Sequence, residues 1–498
     1  MKLNYKRTIL VGFAFFLISA FWQAYDAIIP LALTNHFGLP QSVSGVVMSI
    51  DNVLAVFLLP VFGAVSDKIM TRFGKRTPFI VLGTVAAVLA FITLTLVDNY
   101  QVNTLIEAGI IGRFDAAKLA ESEATEAIKA ATLSGDASAL EAARAALAAA
   151  EATLSEISAD ILNVTIGNVG TVIAFVAVLL VVLLAMATFR SPGVALMPDV
   201  TVKPLRSKGN AIINLMGTAG GILVLVLGIV FGTAGKPYML YTGYVLAVCG
   251  IMLVGLFIFI FKVRENKWVA EMEEESRRLG LTEEVVSDQK GGPVRRLSGG
   301  ELRSLLLILA SVALWYVGYN SITSKYTVYA QNVLGFDFNM TLIIAQAAAV
   351  VSYIPVGIIA SKLGRRKTIL AGILLLASAF FVGNFINPDT PEFVMIPVFV
   401  LAGMGWATIN VNSFPMVVEL AKGGDTGKYT GYYYTASMSA QIVAPILSGM
   451  LYDLCGMRNV FFAFGTVFVL LSFATMFFVR HGDSVPTAAE VREEMAEG

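Results

Sequence analysis

Gly63-Ala64-Val65-Ser66-Asp67-Lys68, followed by Arg72-Phe73-Gly74-Lys75-Arg76, ends one apolar run and leads into the next. A related stretch, Gly357-Ile358-Ile359-Ala360-Ser361-Lys362-Leu363-Gly364-Arg365-Arg366-Lys367, does the same much further along. Glycine permits a tight turn, and a knot of cations beside an apolar run marks one side of a bilayer. Two copies in matching places make this chain a duplicated helical membrane bundle, with an amino-terminal and a carboxy-terminal half.

Composition agrees. Of 498 residues, 57% are hydrophobic and 14% charged, and the mean hydropathy is +0.76. So little charge cannot cover a soluble particle of this size, so lipid must be the solvent for most of the surface. The formal net charge of zero argues against nucleic acid as a partner. Cys249 and Cys455 lie in or at the ends of apolar runs, and His36 and His481 fall between runs. This speaks against a disulfide framework, a metal site or a histidine relay. No metal, cofactor or cleaved leader is expected, and no nucleophile–base pair or phosphate loop suggests an enzyme.

Windows of about 20 apolar residues, the length that crosses a bilayer, fall near 8–33, 42–65, 78–98, 167–198, 208–232 and 238–262, then near 303–330, 337–360, 368–386, 392–420, 429–452 and 459–480. Of the 35 lysines and arginines, 27 lie in the connectors and tails of one side, six on the other, and only Arg190 and Lys325 inside spans. The positive-inside rule places both termini in the cytoplasm of a cell-membrane protein. Lys325, near the outer end of its span, reads as snorkelling.

Register between the halves follows from the repeat. Gly63 and Asp67 match Gly357 and Ser361 at an offset of 294; Gly74 and Arg76 match Gly364 and Arg366 at 290; Asp199 matches Glu419 at 220. The drop exposes an insertion of about 70 residues, near 99–163, between the third and fourth spans. Its Ala- and Glu-rich core breaks at Ser134-Gly135 and restarts at Asp136, an N-cap. Leu140, Leu147, Leu154 and Ile161 recur every seven residues with alanines between, the pattern of a close-packed helical hairpin. The organisation is then residues 1–262, a six-helix half with this insertion; 263–302, a cytoplasmic linker with an amphipathic helix and a flexible tether; 303–480, the second half; and 481–498, a tail.

Ionisable groups inside spans face the bundle interior and are functional by default. Trp22, Gln23 and Asp26 share one helix face. Asp51 lies sixteen residues before Asp67, about 24 Å along a helix, level with Asp26, and Asn52 is its neighbour. Two acids at one depth can hold a proton or a cation. Hydrogen bonding to Asn52 or Gln23 is the plainer role for either acid. Arg190, nine residues before Asp199, sits near mid-membrane, where it suits sugar hydroxyls, a carboxylate or an acid on the second span. Its repeat partner is Asn410. Trp406, Asn410 and Ser413 share a face; an indole with amides one turn on suits a pyranose, though it is also ordinary bundle packing. Tyr316, Asn320 and Ser324 form another polar stripe, and Tyr434, Ser437 and Gln441 a third, with Pro445 beyond it.

These stretches carry a more specific likeness. Asp51–Gly63, the segment Arg190-Ser191-Pro192 running to Pro198-Asp199, Trp315–Asn320, Asn412–Met416 and Gly74-Lys75-Arg76-Thr77-Pro78 resemble the major facilitator superfamily, and within it bacterial relatives of the sucrose–proton symporters and the allied glycoside–pentoside–hexuronide:cation symporters. The resemblance implies an all-α fold of twelve transmembrane helices in two pseudo-symmetric halves, alternating access, and cation-coupled uptake of a glycoside. It also implies that the repeated motif is a gate, made of Gly63, Asp67, Lys68, Gly74, Lys75, Arg76 and Asp199 in one half and Gly357, Ser361, Gly364, Arg365, Arg366 and Glu419 in the other, with Asp67 near the start of the eleventh span. Melibiose-type members carry two acids one turn apart in the second span; here Ala55 and Val47 flank Asp51 at that spacing, which favours H⁺ over Na⁺. The expected transporter is a monomeric proton–sugar symporter, with Asp51 and Asp26 coupling the proton and Arg190, Asn52, Gln23, Trp406, Asn410, Asn320, Tyr434 and Gln441 binding solute. The alternatives are a major facilitator transporter for efflux of a drug, carboxylate or amphiphile, or a non-transporting sensor or anchor.

Overall fold

The structure is a computed structural model that describes residues 3–202, 205–278, 298–418, 420 and 426–481. Every named element among these residues is helical. Eleven helices are long and apolar enough to cross a membrane. A twelfth, α12 (Phe338–Leu363), contributes the apolar stretch Phe338–Tyr353. The amino-terminal half comprises α1 (Tyr5–Leu31), α2 (Gln41–Lys68), α3 (Thr77–Glu107), α6 (Val169–Val200), α7 (Arg206–Phe231) and α8 (Thr242–Lys262). The carboxy-terminal half comprises α10 (Gly299–Thr323), α12, α13 (Arg365–Gly383), α14 (Met395–Val418), α15 (Thr426–Cys455) and α16 (Met457–Phe477). The first helix of each half ends in a π-helical turn: Ala32–His36 after α1, and Tyr329–Leu334 after the single turn α11 (Tyr326–Val328).

Local chemistry sets the ends. Asn4 accepts from the Arg7 amide at the start of α1, and Ser298 with Glu301 forms a capping box on α10; each satisfies amides that a helix start leaves unpaired. Between α3 and α6 stand α4 (Ile110–Ser134) and α5 (Ala137–Gly167), joined at Gly135, whose φ of 70° favours glycine. Asp136 caps α5 by accepting from Ser138 and Ala139. The buried seam of this hairpin is Ala117, Ala124 and Ala131 on α4 against Ala143, Ala150 and Ile157 on α5. Each row repeats at seven; of the row expected from the sequence, Leu140, Leu147 and Leu154 flank this seam and Ile161 is buried, while the row on α4 is additional to it. Alanine on both sides lets the two backbones pack closely.

We call the side bearing this hairpin the hairpin face, and the opposite side, with the start of α1 and the α8–α10 connection, the linker face. The halves meet through α2 on α15, α7 on α12, and α1 on α11. The α2–α15 crossing is tight at the hairpin face. A Cβ added to Gly45 would lie 2.2 Å from the Pro445 oxygen, and one on Gly449 2.3 Å from the Gln41 oxygen. Asp453 of α15 accepts from the Gln41 and Ser42 amides, at 2.7 and 2.8 Å, and so caps α2 from the other half. Towards the linker face the helices diverge around a cavity of about 590 Å³ lined by Val53, Phe57, Pro60, Ser191, Tyr434 and Met438. The bundle is closed at the hairpin face and open at the linker face.

After α8 comes α9 (Glu265–Arg278), the helix expected in the linker. The tether after it and the tail after 481 lie outside the described residues.

Candidate functional site

Beyond the closed crossing, at the head of the open cavity, a smaller polar chamber of about 220 Å³ lies between the halves. From α1 it takes Trp22, Tyr25 and Asp26; from α2, Met48, Asp51 and Asn52; from α6, Arg190. The other half supplies Asn320, Thr323, Ser324, Gln441 and Pro445. Helical spacing explains the first group: Tyr25 and Asp26 lie three and four residues after Trp22 and so fall on its face. Asp26 is exposed, and what it is exposed to is this chamber.

Asn52 Nδ2 donates to Asp51 Oδ1 at 2.8 Å. Arg190 stands beside both acids and lies over the Trp22 ring, 5.3 Å from its centroid. No ion pair joins Arg190 to Asp26 or Asp51 among the described residues. Its guanidinium is thus held by an aromatic face rather than spent on a carboxylate. Three further chamber atoms, Trp22 Nε1, Tyr25 Oη and Ser324 Oγ, are buried without a hydrogen-bond partner. Buried polar groups are normally paired, so three that converge on one chamber are free for a polar guest.

Other candidates lie elsewhere. Gln23 accepts from Gln346 Nε2 of α12 at 2.5 Å and ties the halves together beside the chamber. Trp406 stacks on Tyr319 at 6.1 Å and meets Tyr353 edge-on. Neither Trp406 nor Asn410 lines the chamber, and Tyr434 lines the larger apolar cavity. Asn320 and Gln441 do line it, and each spends one amide hydrogen on its own helix, on the Tyr316 and Ser437 carbonyls.

Two expectations are overturned. Lys325 does not snorkel: it is wholly buried, and its Nζ donates to Ser44 Oγ of α2. The hydroxyl, with Asp453 nearby, gives the ammonium a partner inside the bundle. His36 is not in a loop: it lies wholly buried in the π-turn, against Asp98 of α3. Both residues follow apolar runs, and their partners are far away in sequence.

At the linker face the first motif copy folds around Arg76. Its guanidinium binds Asp67, Asp199 at 2.8 Å, and Ser66. Burial works against the Arg76 charge, but Asp199 and Asp67 outweigh it and hold its pKa above the ordinary arginine value. Asp67 therefore pairs within its own half in this open form. Lys68 is exposed. Gly63 faces Ser191, and Gly74 has a φ of 121°. The carboxylate of Glu265, a residue the sequence reading passed over, accepts from the Lys75, Arg76 and Thr77 amides at 2.6, 2.9 and 2.8 Å. A Cβ on Gly74 would strike that carboxylate at 2.2 Å. Arg7 of α1 binds Glu271 and lies over Trp268, so α9 is clasped to the bundle at its start and at its middle. In the second copy, Gly364 (φ 88°) separates α12 from α13, Gly357 is exposed, Arg365 is half-buried, and Arg366 donates to the Phe477 carbonyl. Glu419 and the Ser361 side chain lie outside the described residues.

Two six-helix halves, a polar chamber at their interface and an opening on one face define a solute transporter of the alternating-access kind. The model of the Major Facilitator Superfamily matches residues 161–441 and 338–496, and that of the MFS/sugar transport proteins matches residues 10–112. The chain belongs to the major facilitator superfamily; it is a multi-pass membrane transporter and not an enzyme. An MFS-type transporter, ppzB, of Metarhizium rileyi (strain RCEF 4871) is 29% identical over 114 residues, 23% of each chain. The fold is similar to that of the xylose transporter XylE from E. coli in an inward open conformation, with a TM-score of 0.62, 12% identity, and coverage of 99% of this chain and 100% of that one. It is also similar to a D-xylose–proton symporter, at 0.61, 14%, 96% and 99%, and to a bacterial homologue of ferroportin in an inward-facing state, at 0.56, 14%, 96% and 99%.

Proposed function

We propose that the chain is a proton-coupled symporter for a sugar, seated in the cell membrane with both termini in the cytoplasm, and that the open linker face is its inward-facing state. The observation that carries this is the chamber's charge: two carboxylates, Asp26 and Asp51, beside one guanidinium, Arg190. With both acids ionised the site carries one net negative charge in a poorly solvated place, and one bound proton cancels it. Asp51, already held by Asn52, stays in place whichever form it takes.

The chamber's remaining groups are neutral donors and acceptors beside an indole, a set suited to hydroxyls on an apolar ring. About 220 Å³ accommodates one pyranose; a second ring or an aglycone extends into the apolar cavity beyond. The likeness to sugar–proton symporters and the sugar-transport family model over the first helices support the same solute class. The basic connectors on the linker face support its cytoplasmic placement. One copy of the chain encloses the whole chamber, which fits a monomer.

The test is uptake into proteoliposomes of labelled monosaccharides and disaccharides under an imposed inward proton gradient. Accumulation that collapses with the gradient and is lost in Asp51→Asn, while sugar exchange at zero gradient persists, supports the reading. Accumulation driven equally by a sodium gradient, or untouched in Asp51→Asn, contradicts the coupling. Sugar indifference with drug or carboxylate flux contradicts the solute.

A further inference from the structure

The buried histidine at the hairpin face carries a second proton argument, independent of the chamber. His36 Nδ1 lies 2.7 Å from Asp98 Oδ1, and His36 Nε2 lies 3.1 Å from the Pro237 carbonyl, in the segment between α7 and α8. A carbonyl only accepts, and so does an ionised carboxylate. Satisfying both contacts needs one proton more than a neutral imidazole beside a carboxylate provides. The ring is then an imidazolium facing Asp98, or a neutral ring accepting from a protonated Asp98. In either form the pair stores one proton. Without it, a ring nitrogen turns its lone pair on an oxygen and a carboxylate stays buried, an arrangement that is costly away from water.

The groups around the pair are these. Tyr241 and Tyr238 stack on the imidazole at 5.3 and 6.3 Å. Tyr244 of α8 stands near Tyr241, and Asp115 of α4 near Tyr238. From α3, Gln101 Nε2 donates to the His36 carbonyl and to Thr165 of α5. Asp98 Oδ2 and Tyr241 Oη are buried without partners.

The segment that His36 holds is also the segment the other half grips. Gln331 Nε2 donates to the Thr233 and Ala234 carbonyls at 2.9 and 3.0 Å, and Asn339 Nδ2 donates to Thr233 Oγ1 at 3.1 Å. Asn35, the residue before His36, donates to Gln331 Oε1 at 2.8 Å and accepts from Asn332 at 2.6 Å. The closure of the hairpin face thus runs through a short loop pinned from one side by the His36–Asp98 pair and from the other by amides of the second π-turn and of α12.

We propose that His36 and Asp98 form a proton-binding site separate from the central carboxylates, and that the stored proton keeps the hairpin face closed, so its release favours opening there. The proposal rests on the closed hairpin face and not on the solute or coupling ion.

With only two histidines in the chain, the full-length protein labelled with ¹⁵N-histidine, in lipid nanodiscs and carrying His481→Gln, reports the His36 ring by NMR. In parallel, spin labels at Lys236→Cys and Phe393→Cys, in a Cys455→Ser background, report the width of the hairpin face. As the pH is raised from about 5 to about 10, the expected result is loss of the pair's proton, with a rise of about threefold in the wide-face population over the same window. Asp98→Asn and His36→Gln should abolish the pH response of the distances. No proton loss in that window overturns the proposal. So does proton loss without widening, or widening that persists in either variant. The NMR and distance titrations of the unsubstituted pair decide the matter even if a variant fails to fold.

Discussion

Lys325 Nζ donates to Ser44 Oγ across the two halves, from a side chain with no exposure to solvent. Ser44 lies in the first turn of α2, the turn whose amides Asp453 caps from α15. A lysine buried at such a crossing favours the packing that supplies its partner. Lys325→Met keeps the volume and removes the charge, so stability should change little. The closed hairpin face should lose about 1.5 kcal/mol, the low end for a hydrogen bond to a charged group. The wide-face population measured by spin labels should rise about tenfold; an unchanged population would show that the contact is incidental.

Asp51 and Arg190 should separate in their effects. Asp51→Asn keeps an oxygen to accept from Asn52 but fixes the charge at zero, so gradient-driven accumulation should fall at least about tenfold while exchange persists. Arg190→Gln takes away the guanidinium from both acids and from the Trp22 face, and should weaken solute binding itself, by about tenfold or more. Equilibrium binding compared with counterflow distinguishes these outcomes.

The two glycines at the α2–α15 crossing leave no room for a methyl group. Gly449→Ala and Gly45→Ala should prevent full closure of the hairpin face and reduce turnover more than about tenfold, because a Cβ would meet backbone oxygen rather than a movable side chain. Gly431→Ala on the same helix, where no atom lies within 4 Å of the added Cβ, serves as the control and should transport normally.

Much of the architecture could be read from the residues because each half is an amphipathic solution to one local problem, crossing a bilayer. Apolar length gave the spans, and Asp26, Asp51 and Arg190 stood out because lipid tolerates charge so poorly. Their convergence on one chamber follows from matched depth together with the inward orientation that a charge in lipid demands. The sequence pattern failed where the partner is remote and the residue unremarkable. Glu265 is one acid in a charged stretch, and only the fold brings it to three amides nearly 190 positions away. Trp406 has the profile of a sugar plate, yet helix rotation turns it onto Tyr319. His36 and Lys325 look like end-of-span residues until the π-turn and the other half close over them.

Glu265→Gln tests the clasp on the linker face. The amide can accept only on one side, so at least one of the Lys75, Arg76 and Thr77 amides loses its partner. The expected cost is about 2 kcal/mol, read as a lower thermal midpoint in detergent, with a smaller effect on solute affinity.

The hairpin should be separable from transport. Ala124→Leu overfills the α4–α5 seam and should cost about 1–3 kcal/mol locally, visible as faster amide exchange in α4 and α5. Transport should remain within about twofold of the parent, since the central chamber draws no residue from either helix.

The imbalance of two carboxylates against one guanidinium also fixes where membrane voltage acts. On the proposed reading the loaded carrier is electrically silent, and only the empty carrier moves one negative charge between the two openings. A potential negative on the cytoplasmic side, worth about 2.3 kcal/mol per 100 mV for a charge crossing the full field, would therefore leave the inward step alone and drive the return of the empty site to the outside.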